Sequence, residues 1–278
     1  MIRALALTAL MMPFPLQAED LNPVKDAGPY VPSPQSVVSD MLRYADVGPN
    51  DFLIDLGSGD GRIVLTAAKV FGARGFGVEI KDDLVRRSNE AARKEGLADR
   101  VKFMKQDLFK TDMSQASVIT MYLLPDTVNL LKDKFLNELR PGTRIVSHDY
   151  PLTGWIPEKY VQMDLEDKVQ ISGVTTTLIY LYVVPAKVAG KWTAQMPAAV
   201  SRQPATLQLK QQLTRVSGSA RLDGKEVPLE DVKLRGDRIS FRLSGRRGEF
   251  SGLIKGNAIE GVMESGAAKT PWSATLGG

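Results

Sequence analysis

The stretch Asp55-Leu56-Gly57-Ser58-Gly59-Asp60-Gly61-Arg62 constrains this chain more than any other. The apolar run Phe52-Leu53-Ile54 leads into it, and Ile63-Val64-Leu65-Thr66-Ala67-Ala68-Lys69-Val70-Phe71 leads out with a helical pattern. Strand, glycine-rich turn and helix in that order make the first unit of a doubly wound α/β sheet. Glycine lets the backbone turn sharply and lets a ligand approach where any Cβ would block it. The helix start beyond offers free N–H groups to an anionic or polar ligand. A dinucleotide fingerprint, G-x-G-x-x-G, is excluded, because its third glycine would stand at Arg62 and the chain has Gly61 instead.

Two further acids fall at strand ends. Arg74-Gly75-Phe76-Gly77-Val78-Glu79-Ile80 is a short apolar strand, and Glu79 lies one βαβ step beyond Asp55. A carboxylate there can accept hydrogen bonds from both ribose hydroxyls of a nucleoside. A polar helix over 82–96, stopped by Gly96, leads to Val101-Lys102-Phe103-Met104-Lys105-Gln106 and then Asp107-Leu108-Phe109. Three acid-bearing strand ends in sequence order place a ligand at the carboxyl edge of the sheet, by the topological switch point.

Asp55-x-Gly57-x-Gly59-x-Gly61, followed by Glu79 and Asp107, resembles the class I S-adenosylmethionine-dependent methyltransferases. The resemblance implies a Rossmann-like, doubly wound, seven-stranded sheet and S-adenosylmethionine as cofactor. It implies that Asp55, Gly57, Ser58, Gly59, Gly61, Glu79, Asp107 and Leu108 bind it, with Asp107 on the adenine amino group and the Leu108 N–H on the ring. Pro29-Tyr30-Val31-Pro32 ahead of the glycine loop, Tyr122-Leu123-Leu124-Pro125 and Arg144-Ile145-Val146-Ser147-His148-Asp149 resemble the branch with the lysine methyltransferases of the mitochondrial ATP-synthase c-subunit. That likeness runs from about Gly28 to Pro185.

The strand 116–121 ends at Met121-Tyr122, where related enzymes carry substrate chemistry. It has no Asn/Asp-Pro-Pro-Tyr and no acid, which disfavours nucleobase or glutamine amino-group methylation, a magnesium-dependent catechol type and aminopropyl transfer. A helix over 127–139 and a strand over 144–147 follow, and the chain's single histidine, His148, stands at that strand's end. An imidazole there suits a general base, or simply a hydrogen bond to a neighbouring loop. Tyr122, His148 and Tyr30 are the candidates for positioning an acceptor amine. Tyr30 sits in the Pro-rich arm ahead of the first helix (35–45), and the arm is expected either to fold over the cofactor or to act as a rigid connector. The runs 160–165 and 175–184 are expected to close the sheet as an antiparallel hairpin.

Outside this region the sequence divides simply. Met1-Ile2-Arg3 and an apolar core too short to span a bilayer read as a signal peptide over 1–18, giving a periplasmic or secreted protein, or a cytoplasmic one if that reading fails. The absence of cysteine suits an oxidising compartment, and with one histidine it leaves no metal site expected. The methyltransferase domain is expected over 19–186. Residues 187–278 alternate in short runs with turns at Asp223-Gly224, Gly236-Asp237 and Gly256-Asn257, the pattern of a small all-β barrel or sandwich. Arg235, Arg238, Arg242, Arg246 and Arg247 make that part basic, while Arg235-Gly236-Asp237 reads as a turn. The net charge of +4 without basic-aromatic clustering gives no expectation of nucleic-acid binding. The expected function is methyl transfer from S-adenosylmethionine to an amine such as a protein lysine, with small molecules as second acceptors. The alternative is an exported, non-catalytic protein that keeps the fold and binds a partner through its β-domain.

Overall fold

The computed structural model describes residues 29–277, so the expected signal peptide over 1–18 lies outside the described residues. Helix α1 (Gln35–Tyr44) follows Pro34 directly and buries Val37, Val38, Met41 and Leu42 on one face. Strand β1 (Phe52–Leu56) leads through the glycine loop into α2 (Arg62–Phe71), which is bounded at both ends by left-handed glycines, Gly61 at φ 82° and Gly72 at φ 73°. Next come β2 (Arg74–Glu79), α3 (Asp82–Lys94) and β3 (Val101–Lys105). Asp82 and Asp83 in the first turn of α3, with Arg93 and Lys94 in its last, complement the helix dipole. A single 3-10 turn (Leu108–Lys110) precedes β4 (Val118–Met121), α4 (Pro125–Leu130), α5 (Lys132–Glu138) and β5 (Arg144–His148). The unit ends with β6 (Lys159–Asp164), α6 (Glu166–Ser172) and β7 (Thr176–Val183).

The seven strands pair in the order β3-β2-β1-β4-β5-β7-β6, parallel through β5, with β7 antiparallel to both its neighbours. This is the expected doubly wound sheet. Strand order reverses between β1 and β4, which puts the crevice at the carboxyl ends of those strands. Apolar layers cover both faces: α1 and α2 with Val64 and Phe103 on one, α4 and α5 with Val128 and Phe135 on the other. Two expectations change in detail. The helix expected over 127–139 starts at Pro125, whose preset φ suits a first helical position, and it breaks at the fully buried Leu131. The expected hairpin carries α6 in its connection, ended by Gly173 at φ 76°.

The second unit is a closed eight-stranded antiparallel barrel. Its strands are β8 (Gly190–Gln195), β9 (Ala205–Gln212), β10 (Arg215–Leu222), β11 (Lys225–Arg235), β12 (Arg238–Leu243), β13 (Glu249–Lys255), β14 (Ala258–Ser265) and β15 (Ala268–Leu276). Closure removes free edges, and an eight-stranded barrel is narrow enough for side chains to fill. Phe241 and Phe250 stack at 5.0 Å and Trp272 stands edge-on to both, beside the fully buried Trp192. Outward positions such as Lys210, Arg221 and Arg238 are exposed.

The barrel is fastened to the sheet at the edge away from the crevice. Ala186 N donates to Gly236 O of the barrel at 2.8 Å just after β7 ends, next to the sheet's own bond from Gly142 N to Val184 O where β5 begins. Glycine is required at 236, since a Cβ there would sit 3.0 Å from the Gly142 backbone at a φ of 59°. Arg235 Nε reaches Glu158 Oε1 at 2.6 Å beside that joint. Substituting Trp192→Ala should therefore destabilise the barrel by about 3–5 kcal/mol, read in urea unfolding.

Candidate active site

A cleft of about 860 Å³, open mouth included, runs along the carboxyl ends of β1 and β2, and the described residues that line it all fall within 29–123. Its floor is the glycine loop. Gly57, Gly59 and Gly61 all have positive φ, and a Cβ on Gly59 would stand 2.5 Å from the Tyr30 ring. The loop is tied to β2 by its own amides. Gly57 N and Ser58 N both donate to Val78 O at 2.9 Å, Gly59 N donates to Glu79 Oε2 at 3.0 Å, and Gly61 N donates to Ser58 O. Those N–H groups are spent inside the protein, so the loop is not the open amide nest that a phosphate ligand needs.

What the cleft presents instead is carboxylate. Glu79 is buried; its Oε1 accepts from Ile80 N at 2.8 Å and Lys81 N at 3.0 Å. Three of its roughly four lone-pair positions are filled, leaving one rather than two for a ribose hydroxyl. Asp107 caps the 3-10 turn by accepting from Phe109 N at 2.8 Å through Oδ1, with Oδ2 left for an amine donor, and Leu108 lines the wall beside it. Asp55 is fully buried and accepts from Thr120 Oγ1 at 2.7 Å. Burial, with Asp60 and Glu79 nearby, pushes its pKa up to about 7 despite the Thr120 bond. Ser58 lines the cleft with the other loop residues, and its hydroxyl lies against β2, where a Cβ on Gly77 would meet it at 2.4 Å.

The Pro-rich arm folds over this floor, as one of the two readings of the arm expected. Pro29 to Ser33 line the cleft. Arg62, read in the sequence only as the residue that breaks a dinucleotide fingerprint, holds the arm down. Its Nη1 donates to Ser33 O at 2.8 Å while Nε and Nη2 grip Asp60 at 2.6–3.1 Å. Tyr30 rests on Gly59, and burial with the neighbouring Asp60 raises its pKa to about 12. Leu123, also unforeseen, closes over Gly57.

Tyr122 lines the far end of the cleft, but His148 does not. His148 is completely buried behind the Tyr122 ring, its Nδ1 2.8 Å from Ser33 Oγ. Burial lowers its pKa to about 4, so the ring is neutral at physiological pH. Of the two readings of His148, the structure shows the hydrogen bond to a neighbouring loop, through Ser33, and the ring stands behind the cleft wall instead of facing an acceptor. It supports the wall.

An acceptor-lined, carboxylate-rich cleft fits a ligand that carries donors and positive charge. S-adenosylmethionine has a sulfonium, an ammonium, two ribose hydroxyls and an exocyclic amine, and the residues present fit it. Fold and cleft define a class I S-adenosylmethionine-dependent methyltransferase. The family described as the ANTKMT methyltransferase domain matches residues 55–159. A protein-lysine N-methyltransferase of Saccharolobus islandicus is 41% identical over 157 residues, 56% of this chain and 93% of that protein. The crystal structure of an RNA methyltransferase from Salinibacter ruber with S-adenosyl-L-homocysteine is 43% identical, covers 57% of this chain and 96% of its own, and superposes with a TM-score of 0.51. A lysine N-methyltransferase of the ATP-synthase c-subunit from Xenopus laevis is 32% identical over 130 residues, 47% of this chain and 57% of that relative. The chain belongs to this family of methyltransferases: it is an enzyme, and S-adenosylmethionine is its cofactor.

Two outcomes follow from the loop. Gly59→Ala should weaken S-adenosylhomocysteine binding by about tenfold or more, some 1.4 kcal/mol, because the new methyl displaces Tyr30. The second concerns pH. An unfolded aspartate ionises near 3.8 and folded Asp55 near 7, so between those values the folded state holds a proton that the unfolded chain releases. Stability therefore falls as pH rises through that window. Asp55→Asn should be level with the wild type near pH 4 and more stable at pH 8, by up to roughly 4 kcal/mol, in urea titrations at the two pH values.

Proposed function

We propose that the enzyme transfers a methyl group to the ε-amine of lysine on a protein. The observation that carries this reading is the 41% identity spanning 93% of an archaeal protein-lysine N-methyltransferase. Methyl transfer from a sulfonium needs a neutral amine in line with the methyl, and proximity and orientation supply most of the acceleration. In this reading Glu79 takes a ribose hydroxyl, Asp107 and Leu108 take the adenine, and Asp55 and the Gly57–Gly61 loop face the charged amino-acid end. Tyr122 and Tyr30 border the methyl. Both phenols are kept protonated by burial and nearby acids, so they offer an amine oxygen lone pairs without charge.

One second reading has an observation behind it: the 43% identical relative described as an RNA methyltransferase. No observation favours the non-catalytic alternative. We also propose that residues 1–18 direct export, which would require the donor to reach the exported enzyme; a reporter fusion to residues 1–20 tests it, and cytosolic retention of the reporter would refute it.

Tritiated S-adenosylmethionine and an extract of the native host test the acceptor class. Label should appear in protein and emerge as methyl-lysine after acid hydrolysis. Label in RNA alone would replace lysine with a nucleobase. Glu79→Ala should abolish incorporation, since it removes both the ribose acceptor and the anchor of Gly59.

A further inference from the structure

The acceptor end of the cleft has a support that the expected site residues do not include. The rings of Tyr122 and His148 lie 3.9 Å apart, 34° from parallel. Tyr122 Oη donates to Asp149 Oδ2 at 3.0 Å. Asp149 is itself held from three sides. Lys168 Nζ donates to both its oxygens at 2.7 and 2.8 Å, Leu178 N donates to Oδ1 at 3.0 Å, and its own N donates to Leu178 O at 2.7 Å. Its backbone sits at φ 62°, in the left-handed region that aspartate enters more readily than most side-chain-bearing residues. Lys168 projects from α6, is 2% exposed, and also donates to Thr176 O at 2.5 Å. Burial alone would raise the Asp149 pKa, but the neighbouring His148 and the bonds from Lys168 and Leu178 hold it below the ordinary carboxylate range.

A phenol has one proton and two lone pairs. With its proton engaged by Asp149, the Tyr122 oxygen can meet an incoming amine only as an acceptor. That distinction decides the chemistry. A neutral amine attacks through its single lone pair, and a phenol proton donated to that pair would occupy the orbital that must form the new bond. We propose that Asp149 is a positioning residue for methyl transfer. By holding the Tyr122 proton, it makes the phenol oxygen accept an amine N–H and leaves the nitrogen lone pair aimed at the methyl. The nitrogen then gains the methyl, the electron pair of the broken C–S bond stays on sulfur, and the extra proton on nitrogen goes to water. Lys168 is the counter-ion that lets Asp149 stay ionised in a half-buried place. The inference rests on the amine-acceptor reading given above.

The test must avoid leaving a buried charge alone, since removing one partner of a buried ion pair destabilises strongly. Two full-length double variants do this: Asp149→Asn with Lys168→Met, in which the amide oxygen still accepts the phenol proton, and Asp149→Ala with Lys168→Met, in which nothing does. Both are made again with Tyr122→Phe. Turnover is read as tritium incorporated from saturating S-adenosylmethionine into host protein extract, alongside S-adenosylhomocysteine affinity by calorimetry.

The Ala/Met enzyme should turn over about ten- to a hundredfold more slowly than the Asn/Met enzyme, with equal cofactor affinity, and the gap should vanish in the Tyr122→Phe background. Equal rates of the two double variants, or a gap that persists without the phenol, overturn the assignment. Wild-type label found in RNA instead of protein refutes the lysine reading, and the same ratio then judges Asp149 on a nucleobase amine. No wild-type incorporation into either overturns both.

Discussion

The Glu79 carboxylate is the constraint on which the cleft depends. It accepts the Gly59 amide from the loop after β1 and the Ile80 and Lys81 amides from its own strand end. Two adjacent parallel strands are thereby joined at the point where the chain must open for a ligand. Hydrogen bonds to a carboxylate are the stronger kind, about 1.5–3 kcal/mol each. With Gly57 and Ser58 both on Val78 O, the glycine loop has little freedom left. A loop fixed in this way meets its ligand preorganised, and it meets it with acceptors. This explains how a glycine loop that resembles a phosphate cradle in outline serves a cationic cofactor in substance.

From that anchor the structure builds outward in two layers. Asp60 and Arg62, on the loop, hold Ser33, and Ser33 in turn meets His148 at the end of β5. The arm over the donor and the wall behind the acceptor are thus connected through one serine. His148 carries no charge there, which matters because its Nε2 lies buried without a hydrogen-bond partner among the described residues. A cation at that place would be costly, and burial keeps the ring neutral instead. Its work is steric: it sets the plane of Tyr122.

Much of this was legible in the sequence, and the reason is periodicity. Apolar strands followed by acids at regular βαβ intervals gave Asp55, Glu79 and Asp107 their common edge, and the alternating runs after 187 gave the barrel. The misses share a cause. Lys168 reads as one polar residue in a short polar stretch, and its partners Asp149, 19 residues earlier, and Thr176 O are brought to it by the fold. Helix α6 has seven residues, too few for a hydrophobic period to show. Likewise, nothing local to His148 reveals that Tyr122 covers it. Patterns report which face of an element is apolar; they are silent about polar partners that the fold brings together from distant strands.

The barrel poses the remaining structural question, and its attachment narrows the answer. It joins the sheet where β5 begins and β7 ends, while the cleft opens where β1, β2 and β4 end. Among the described residues none from the barrel lines the cleft. Charge separates the two units as well. Residues 187–278 hold 15 lysines and arginines against 8 acids, whereas the rest of the chain holds 21 against 24. Arg235 and Arg238 stand directly opposite each other across β11 and β12, a like-charge pair relieved on one side by Glu158. Like charges facing across strands cost stability. Surface charge of this kind acts over about a Debye length, roughly 8–10 Å at physiological salt. Its influence on the enzyme is therefore confined to what contacts the barrel face itself, and the carboxylates of the cleft keep the local field that a cationic donor requires.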